Sequence, residues 1–180
     1  MFAINHCTVT PVRQEPSEGS EQLTQLLFGE VCEVLDQLPR WTKIRSTVDG
    51  QEGWVDFKML TPTDTQYPIS NTRTTVAVPM AIATAMETGE ELMLTLGTRL
   101  PNYSHGTFEV LGKQYLINPS SVNTALSTAS IASDLPSTGA NADLQRSDLI
   151  TIAQSLLNAP YLWGGKNAMG MDCSGFTQVV

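Results

Sequence analysis

The feature that most constrains this chain is a run of residues close to its C-terminal end. Residues 160–165, Pro-Tyr-Leu-Trp-Gly-Gly, are followed after a short loop by Asp172-Cys173-Ser174-Gly175-Phe176. The first part predicts a tight turn, and the second predicts the start of a helix. A thiol at a helix start lies near unpaired backbone N–H groups and the positive end of the helix dipole, which favour the thiolate. Cys173 is therefore a candidate nucleophile, and the alternative is a structural cysteine on a helix that Asp172 and Ser174 cap. Gly175 is expected to let another chain segment approach the first turn of this helix closely.

A pattern typical of an amphipathic helix precedes this run. Apolar residues recur at spacings of three and four between positions 149 and 157. They are Leu149, Ile152, Ala153, Leu156 and Leu157. Ser147 is the expected N-cap, and Pro160 is expected to end the helix because its ring clashes with the preceding turn.

Residues 4–62 predict a small all-β unit, because short β-prone runs alternate with polar turns. The runs are Cys7-Thr8-Val9, residues 31–35, residues 41–45 and Gly53-Trp54-Val55. Asp49-Gly50 predicts a hairpin just before the last run. The stretch resembles a bacterial SH3-like barrel, expected over residues 1–65. The matching elements are Gly29-Glu30-Val31, Trp41-x-Lys43-Ile44, Gly50-x-x-Gly53-Trp54-Val55 and Leu60.

Residues 66–122 predict a second, more diverged SH3-like barrel. Its expected strands are residues 74–78, 92–96, 108–111 and 114–117, the last two joined through Gly112-Lys113. The Gly-Trp-Val hairpin pattern is absent here, so an insertion packed on its neighbours is the alternative. Residues 123–142 are rich in Ser, Thr and Ala and are broken by Pro136 and Gly139, which predicts a linker.

The run around Cys173 resembles the start of the NlpC/P60 family of cell-wall cysteine peptidases. The resemblance lies in Tyr161-x-Trp163-Gly164-Gly165 and in Asp172-Cys173-Ser174-Gly175-Phe176. It implies that residues 143–180 form the N-terminal part of a papain-like α+β domain. The expected fold class is therefore multidomain, with two all-β SH3-like barrels followed by the start of this NlpC/P60 domain.

The same resemblance implies a function and a set of site residues. Cys173 would be the catalytic nucleophile, acting without a metal or an organic cofactor. The substrate would be a murein stem peptide, L-Ala-γ-D-Glu-diamino acid, cut at the γ-D-glutamyl bond. Asp172 and Ser174 would bind the free ammonium of the L-Ala through charge-assisted hydrogen bonds, and Trp163 and Gly164 would line the site. An aromatic residue lent by the barrels would complete it, and the candidates are Trp54, Tyr67 and Tyr103.

A thiol peptidase also needs a general base. The only histidines are His6 and His105, and both lie in the barrel-like regions, where solvated or core histidines are expected. The resemblance implies a catalytic histidine and a third polar residue beyond Val180, so the chain is expected to be a fragment of a longer protein. The alternative is a complete but inactive chain whose last helix exposes an apolar face formed by Phe176, Val179 and Val180.

The composition of the chain limits the classes of partner that it is expected to bind. A net charge of −8 disfavours nucleic acids and anionic membranes, because no basic field is available to neutralise phosphates. The longest nearly apolar stretch, residues 76–83, is too short to span a bilayer. The three irregularly spaced cysteines form neither a disulfide framework nor a zinc site, and Cys7 and Cys32, in strand-like runs, are expected to be buried and inert.

No signal peptide is visible after Met1, so a cytoplasmic location is expected. The alternative is a periplasmic or cell-envelope location after removal of a signal. The protein is also expected to be a monomer. Three functions are compatible with the residues: a murein-peptide endopeptidase, a non-catalytic module in which tandem barrels bind cell-wall peptide, and an amidase or acyltransferase that uses the same thiol.

Overall fold

A computed structural model describes residues 1–63, 74–124 and 149–180. The strands of the first unit are β1 (Phe2–Asn5), β2 (Val9–Arg13), β3 (Gln22–Leu27), β4 (Val31–Gln37), β5 (Trp41–Ser46), β6 (Glu52–Asp56) and β7 (Leu60–Thr63). Those of the second unit are β8 (Thr74–Val76), β9 (Met80–Ala85), β10 (Glu91–Thr95), β11 (Thr107–Val110), β12 (Lys113–Ile117) and β13 (Val122–Thr124). The last segment contains helical residues 149–155 (α1), β14 (Lys166–Asn167), β15 (Gly170–Met171) and α2 (Cys173–Val179).

The first unit is one antiparallel sheet in the order β3-β2-β6-β5-β4-β1-β7. The three runs predicted at residues 31–35, 41–45 and 53–55 are confirmed as β4, β5 and β6. The predicted hairpin is also confirmed: β5 pairs with β6 across a turn in which Gly50 has a φ of +73°. Cys7, predicted in a strand and buried, lies instead in a bend between β1 and β2 and is only half-buried.

The expectation of closed barrels is wrong for both units. Closure of the first would require a ladder between its edge strands β3 and β7, and within the described residues the strand order contains none. β1 inserts between β4 and β7, so β7 lies at one end of the sheet and β3 at the other. The four-stranded sheet of the second unit, β10-β9-β12-β11, is likewise open, and β8 pairs with β13 in a separate ladder.

The second unit confirms the predicted β11–β12 hairpin, whose turn places Leu111 and Gly112 at positive φ. Strand β9 was not predicted, because Pro79 interrupts the apolar run 76–83 and hides its alternation of buried and exposed residues. β13 includes the first two residues of the predicted linker 123–142. The rest of that linker and the predicted cap Ser147 lie outside the described residues.

A shared core joins the two β units. Ile4, Phe28 and Val31 of the first unit pack in one cluster with buried residues of the second, among them Phe108 and Tyr115. The Phe28 and Tyr115 rings meet edge to face, with their centroids 5.8 Å apart. A second core lies within the first sheet and includes the buried thiol of Cys32. The two units are therefore fixed against each other by apolar packing.

The last segment packs on the second unit through its own small core. Leu96, at the end of β10, meets Leu156 from the turn after α1 together with Met171 and Val179. In the predicted stripe of α1 and the turn after it, only Leu156 is buried, while Leu149 and Leu157 are exposed. Among the described helices, none is long and apolar enough to cross a membrane.

Candidate active site

Cys173 is the first residue of α2, and its side chain is exposed. The helix begins there because the preceding residue, Asp172, is extended and caps it: the Asp172 carboxylate accepts a hydrogen bond from the Gly175 backbone N–H. The sequence prediction of a cysteine at a helix start is therefore confirmed. An exposed thiol at this position is accessible to a reagent or a substrate.

The Asp172 carboxylate is buried and accepts hydrogen bonds from two segments of the chain. Its Oδ1 accepts hydrogen bonds from the Ser174 hydroxyl at 2.6 Å and from the Gly175 N–H at 2.8 Å. Its Oδ2 accepts a hydrogen bond from the Gly164 N–H at 2.8 Å. Burial by itself raises the pKa of Asp172, but the bonds from Gly175, Ser174 and Gly164 outweigh it, so the pKa lies below its usual value. Asp172 is therefore an anion that connects α2 to the turn formed by residues 162–165, called the glycine turn below.

The glycine turn and α2 are in backbone contact. A Cβ on Gly175 would overlap the Gly165 carbonyl oxygen, which also accepts a hydrogen bond from the Asp172 N–H at 3.2 Å. The prediction that Gly175 permits close approach of another segment is confirmed. Gly164 has a φ of +67°, and a Cβ there would overlap the Gln22 carbonyl oxygen, so this glycine lies directly against the start of β3.

Trp163 lies at the rim of this arrangement and is 60% exposed. Its indole Nε1–H donates to Glu21 Oε1 at 2.8 Å, and its carbonyl accepts from Gln22 Nε2 at 3.1 Å. The first β unit therefore binds the glycine turn through these two hydrogen bonds. No local sequence pattern predicts these partners, which lie more than 140 positions away along the chain.

Behind the turn, strand β14 is bound by buried polar side chains of the first unit. Gln25 Oε1 accepts hydrogen bonds from the Lys166 N–H and from Asn167 Nδ2, both at 2.8 Å. The Lys166 ammonium lies 3.2 Å from both carboxylate oxygens of Glu30, and the two side chains are only 4% and 6% exposed. Burial raises the pKa of Glu30, and the Lys166 charge and the Leu27 N–H partly offset this rise.

These β3 contacts belong to a unit that comparison with known proteins identifies. Residues 8–60 match the bacterial SH3 domain family. The resemblance drawn from the sequence is confirmed for this part of the chain, and residues 8–60 are called the SH3 domain below. The side chains that hold the glycine turn and β14, from Glu21 to Glu30, all belong to this domain.

Two solved structures share the fold of nearly the whole chain. An NlpC/P60 family protein from Bacillus cereus ATCC 10987 has a TM-score of 0.72 and 21% identity, over 98% of this chain and 70% of that one. An NlpC/P60 endopeptidase from Photobacterium damselae subsp. piscicida has a TM-score of 0.67 and 19% identity, over 99% of this chain and 41% of that one. At these identities the likeness shows the fold, which confirms the NlpC/P60 resemblance at that level.

Two curated relatives match by sequence. A γ-D-glutamyl-L-lysine dipeptidyl-peptidase of Bacillus cereus (strain ATCC 10987 / NRS 248) is 28% identical, over 87% of this chain and 49% of the relative. The protein of the same name from Bacillus subtilis (strain 168) is 27% identical, over 85% of this chain and 50% of the relative. The chain thus spans about half the length of the curated relatives it matches.

The remaining predicted site residues lie elsewhere or outside the described residues. Trp54, on β6 of the SH3 domain, pairs with Lys43 and Arg13, two strands away from the edge that contacts the glycine turn. Tyr103 packs against the core shared by the two β units. Tyr67 lies outside the described residues. The structure therefore brings together Trp163, Gly164 and residues 172–174, and a contribution of Trp54, Tyr67 or Tyr103 to the site stays a prediction.

The two histidines are both exposed. His6 follows β1 and its Nδ1 lies 3.0 Å from the Thr61 hydroxyl, while His105 occupies a turn before β11 with a φ of +47°. In the described ranges, no group of three His, Cys, Asp or Glu side chains could hold a metal ion.

The alternative interpretation, in which the last helix exposes an apolar face, is only partly correct. Val179 is buried against Leu96 and Leu156, and a Cβ placed on Gly97 would lie 3.3 Å from the Val179 side chain, because the second unit covers this face. Phe176 remains 37% exposed and lines an open apolar depression next to α1.

Proposed function

We propose that the protein is a cell-wall peptidase that uses Cys173 as its nucleophile. The observation that carries this proposal is the exposed Cys173 thiol, next to a buried carboxylate that joins the glycine turn to the helix. The names of the two Bacillus relatives support a γ-D-glutamyl–diamino acid bond as the one cleaved. The substrate is a murein stem peptide, L-Ala-γ-D-Glu followed by a diamino acid.

The reaction follows from thiol chemistry. The Cys173 thiolate attacks the γ-carbonyl carbon of D-Glu and forms a thioester as the amide bond breaks. The general base, which the NlpC/P60 resemblance assigns to a histidine beyond Val180, takes the proton of the Cys173 thiol and then gives it to the amine of the diamino acid as that amine leaves. Water then hydrolyses the thioester and restores the thiol, so no metal or organic cofactor takes part.

Asp172 and Ser174 recognise the free ammonium of the substrate's L-Ala. Asp172 Oδ2 accepts a hydrogen bond from the Gly164 N–H, and a carboxylate oxygen can accept more than one. The Ser174 hydroxyl donates to Asp172 Oδ1, which leaves its own oxygen lone pairs available to an ammonium. A buried carboxylate facing an ammonium makes a charge-assisted bond, so peptides with a blocked amine bind poorly.

The finer architecture belongs to the same proposal. The second β unit is a diverged SH3-like domain, and residues 143–180 are the opening of a papain-like domain. Neither changes the chemistry, which depends on the turn and on α2. We propose a monomer that acts in the cytoplasm on freed peptides if Met1 is native, or in the cell envelope if a signal precedes it.

The test is hydrolysis of L-Ala-γ-D-Glu-L-Lys and of its diaminopimelate counterpart by the full-length protein, followed by mass spectrometry of the products. Cys173→Ala should abolish hydrolysis, and its melting temperature should stay close to wild type because the side chain is exposed. An N-acetylated peptide should be cleaved far more slowly, because its amine carries no charge.

Four results would change the proposal in different ways. Hydrolysis that survives Cys173→Ala would exclude this thiol as the nucleophile. Equal cleavage of the acetylated peptide would remove the ammonium subsite but keep the peptidase. Peptide binding without any product would favour the non-catalytic module, and a product other than free dipeptide would favour an amidase or acyltransferase.

A further inference from the structure

The buried polar contacts between the SH3 domain and β14 lie directly behind the candidate nucleophile. We infer that Gln25 and Glu30 are positioning residues, which fix the glycine turn and thereby the Asp172 cap and Cys173. This inference rests on the proposed function for its kinetic part. It assigns the SH3 domain a role in aligning the catalytic thiol.

Gln25 is the first element of this arrangement. It is buried, and its single side-chain oxygen accepts both the Lys166 N–H and the Asn167 amide at 2.8 Å. These two donors are also buried, so without Gln25 they would lack an acceptor in a site from which water is largely excluded. The position of β14 is therefore tied to one atom of β3.

The Glu30–Lys166 pair is the second element. Glu30 accepts from the Leu27 N–H at 3.0 Å through Oε2, and both of its oxygens face the Lys166 ammonium. A buried ion pair is weak evidence for stability, because desolvation of both charges offsets their attraction. Its effect here is geometric, since it holds the Lys166 side chain against both oxygens of the Glu30 carboxylate.

A short covalent path connects these contacts to the nucleophile. Lys166 follows Gly165, whose carbonyl accepts from the Asp172 N–H and lies against Gly175. Gly164 then donates to Asp172 Oδ2. Movement of Lys166 away from the SH3 domain therefore moves the atoms that hold the Asp172 cap, one residue before Cys173.

The test compares Gln25→Met, which removes the acceptor at similar volume, with Gln25→Glu, which keeps an accepting oxygen. Glu30→Gln is the second variant, because it keeps the shape but leaves the Lys166 charge without a counter-ion. Ile44→Ala, in the separate core of the SH3 domain, is the control that lowers stability without touching β14. All are assayed in the full-length protein, at a temperature where each is folded.

Two readouts are needed. The first is kcat/KM for the tripeptide, expected to fall about 10- to 100-fold in Gln25→Met and Glu30→Gln, because displacement of about 1 Å at a reacting group has effects of this size. The second is hydrogen exchange at the Gly164 and Gly175 amides, which needs no substrate. Exchange there should accelerate at least about tenfold in the same variants, as their acceptor Asp172 loses its fixed position.

Gln25→Glu should restore both readouts to near wild type, and Ile44→Ala should leave both unchanged despite a lower melting temperature. The inference is overturned if Gln25→Met and Glu30→Gln keep wild-type kcat/KM and amide protection, or if Ile44→Ala loses as much as they do. If no variant, including wild type, hydrolyses the peptide while the exchange pattern holds, the proposed function fails and the positioning role stands.

Discussion

The backbone contact at Gly175 offers a stability prediction whose sign the structure decides. Gly175 lies in the first turn of α2, and a Cβ there would overlap the Gly165 carbonyl oxygen and lie 3.1 Å from the Cα of Lys166. Because alanine is the better helix former, Gly175→Ala would by itself stabilise the helix by about 0.5–1 kcal/mol. The contact with the glycine turn opposes this gain.

The opposing cost is larger. The overlapping atoms belong to the backbone, so relief requires movement of residues 164–166 or of the first turn of α2. Overpacking of this kind costs about 1–3 kcal/mol. The movement also weakens the bonds from the Asp172 N–H to Gly165 and from Gly164 to Asp172, each worth about 1 kcal/mol net. We expect a net loss of about 2–4 kcal/mol in the free energy of unfolding.

Thermal unfolding measures this loss. For a chain of this size, the expected fall in melting temperature is about 5–15 °C. Gly19→Ala is the matched control, because a Cβ at Gly19 meets no atom within 4 Å and the backbone there is not left-handed. It should leave the melting temperature unchanged or slightly higher. An unchanged or raised melting temperature for Gly175→Ala would refute the proposed contact.

Three further predictions concern the same region. Under native conditions iodoacetamide should label Cys173 and spare Cys32, because Cys173 is exposed and burial raises the pKa of the Cys32 thiol to about 12. Peptide mass spectrometry distinguishes the two labelled cysteines, and equal labelling would contradict the structure. The pKa of Asp172 is lowered in the folded protein, so the ionised carboxylate stabilises the fold above the usual pKa of 3.8, and this stabilisation is lost as the pH falls below that value. The difference in melting temperature between wild type and Asp172→Asn should therefore shrink from about pH 5 to about pH 3. A constant difference would show that the charge of Asp172 does not contribute to stability. Trp163→Phe removes one exposed hydrogen bond to Glu21, so it should change the free energy of unfolding by less than about 1 kcal/mol. A larger loss of unfolding free energy in a urea titration would mean that Trp163 is part of the core.

Local sequence patterns predicted the elements whose structure depends on neighbours in the chain. The hairpin at Gly50 and the one at Gly112 were predicted because positive φ in a short turn favours glycine. The start of α2 was predicted because a short acceptor side chain before a helix satisfies an unpaired N–H within three residues. Strand β9 was missed because Pro79, just before it, interrupts the apolar run 76–83 in which the strand begins.

The candidate site divides in the same way. The sequence determined that Cys173 begins a helix, that Asp172 and Ser174 flank it, and that Gly175 admits another segment, since these features need only a few consecutive residues. It did not place Trp54 or Tyr103, because the side of a sheet or core that a side chain joins depends on how whole units pack.

Only the tertiary structure decided that the SH3 domain binds the glycine turn that precedes Cys173. The Gln25 and Glu30 contacts with Lys166 join residues 141 and 136 positions apart, and nothing in the local pattern of either segment requires the other. In isolation each of these polar side chains is compatible with a solvated surface. They become a buried, paired set only when the two segments meet, because removal of water makes each donor and acceptor depend on a partner in the other segment.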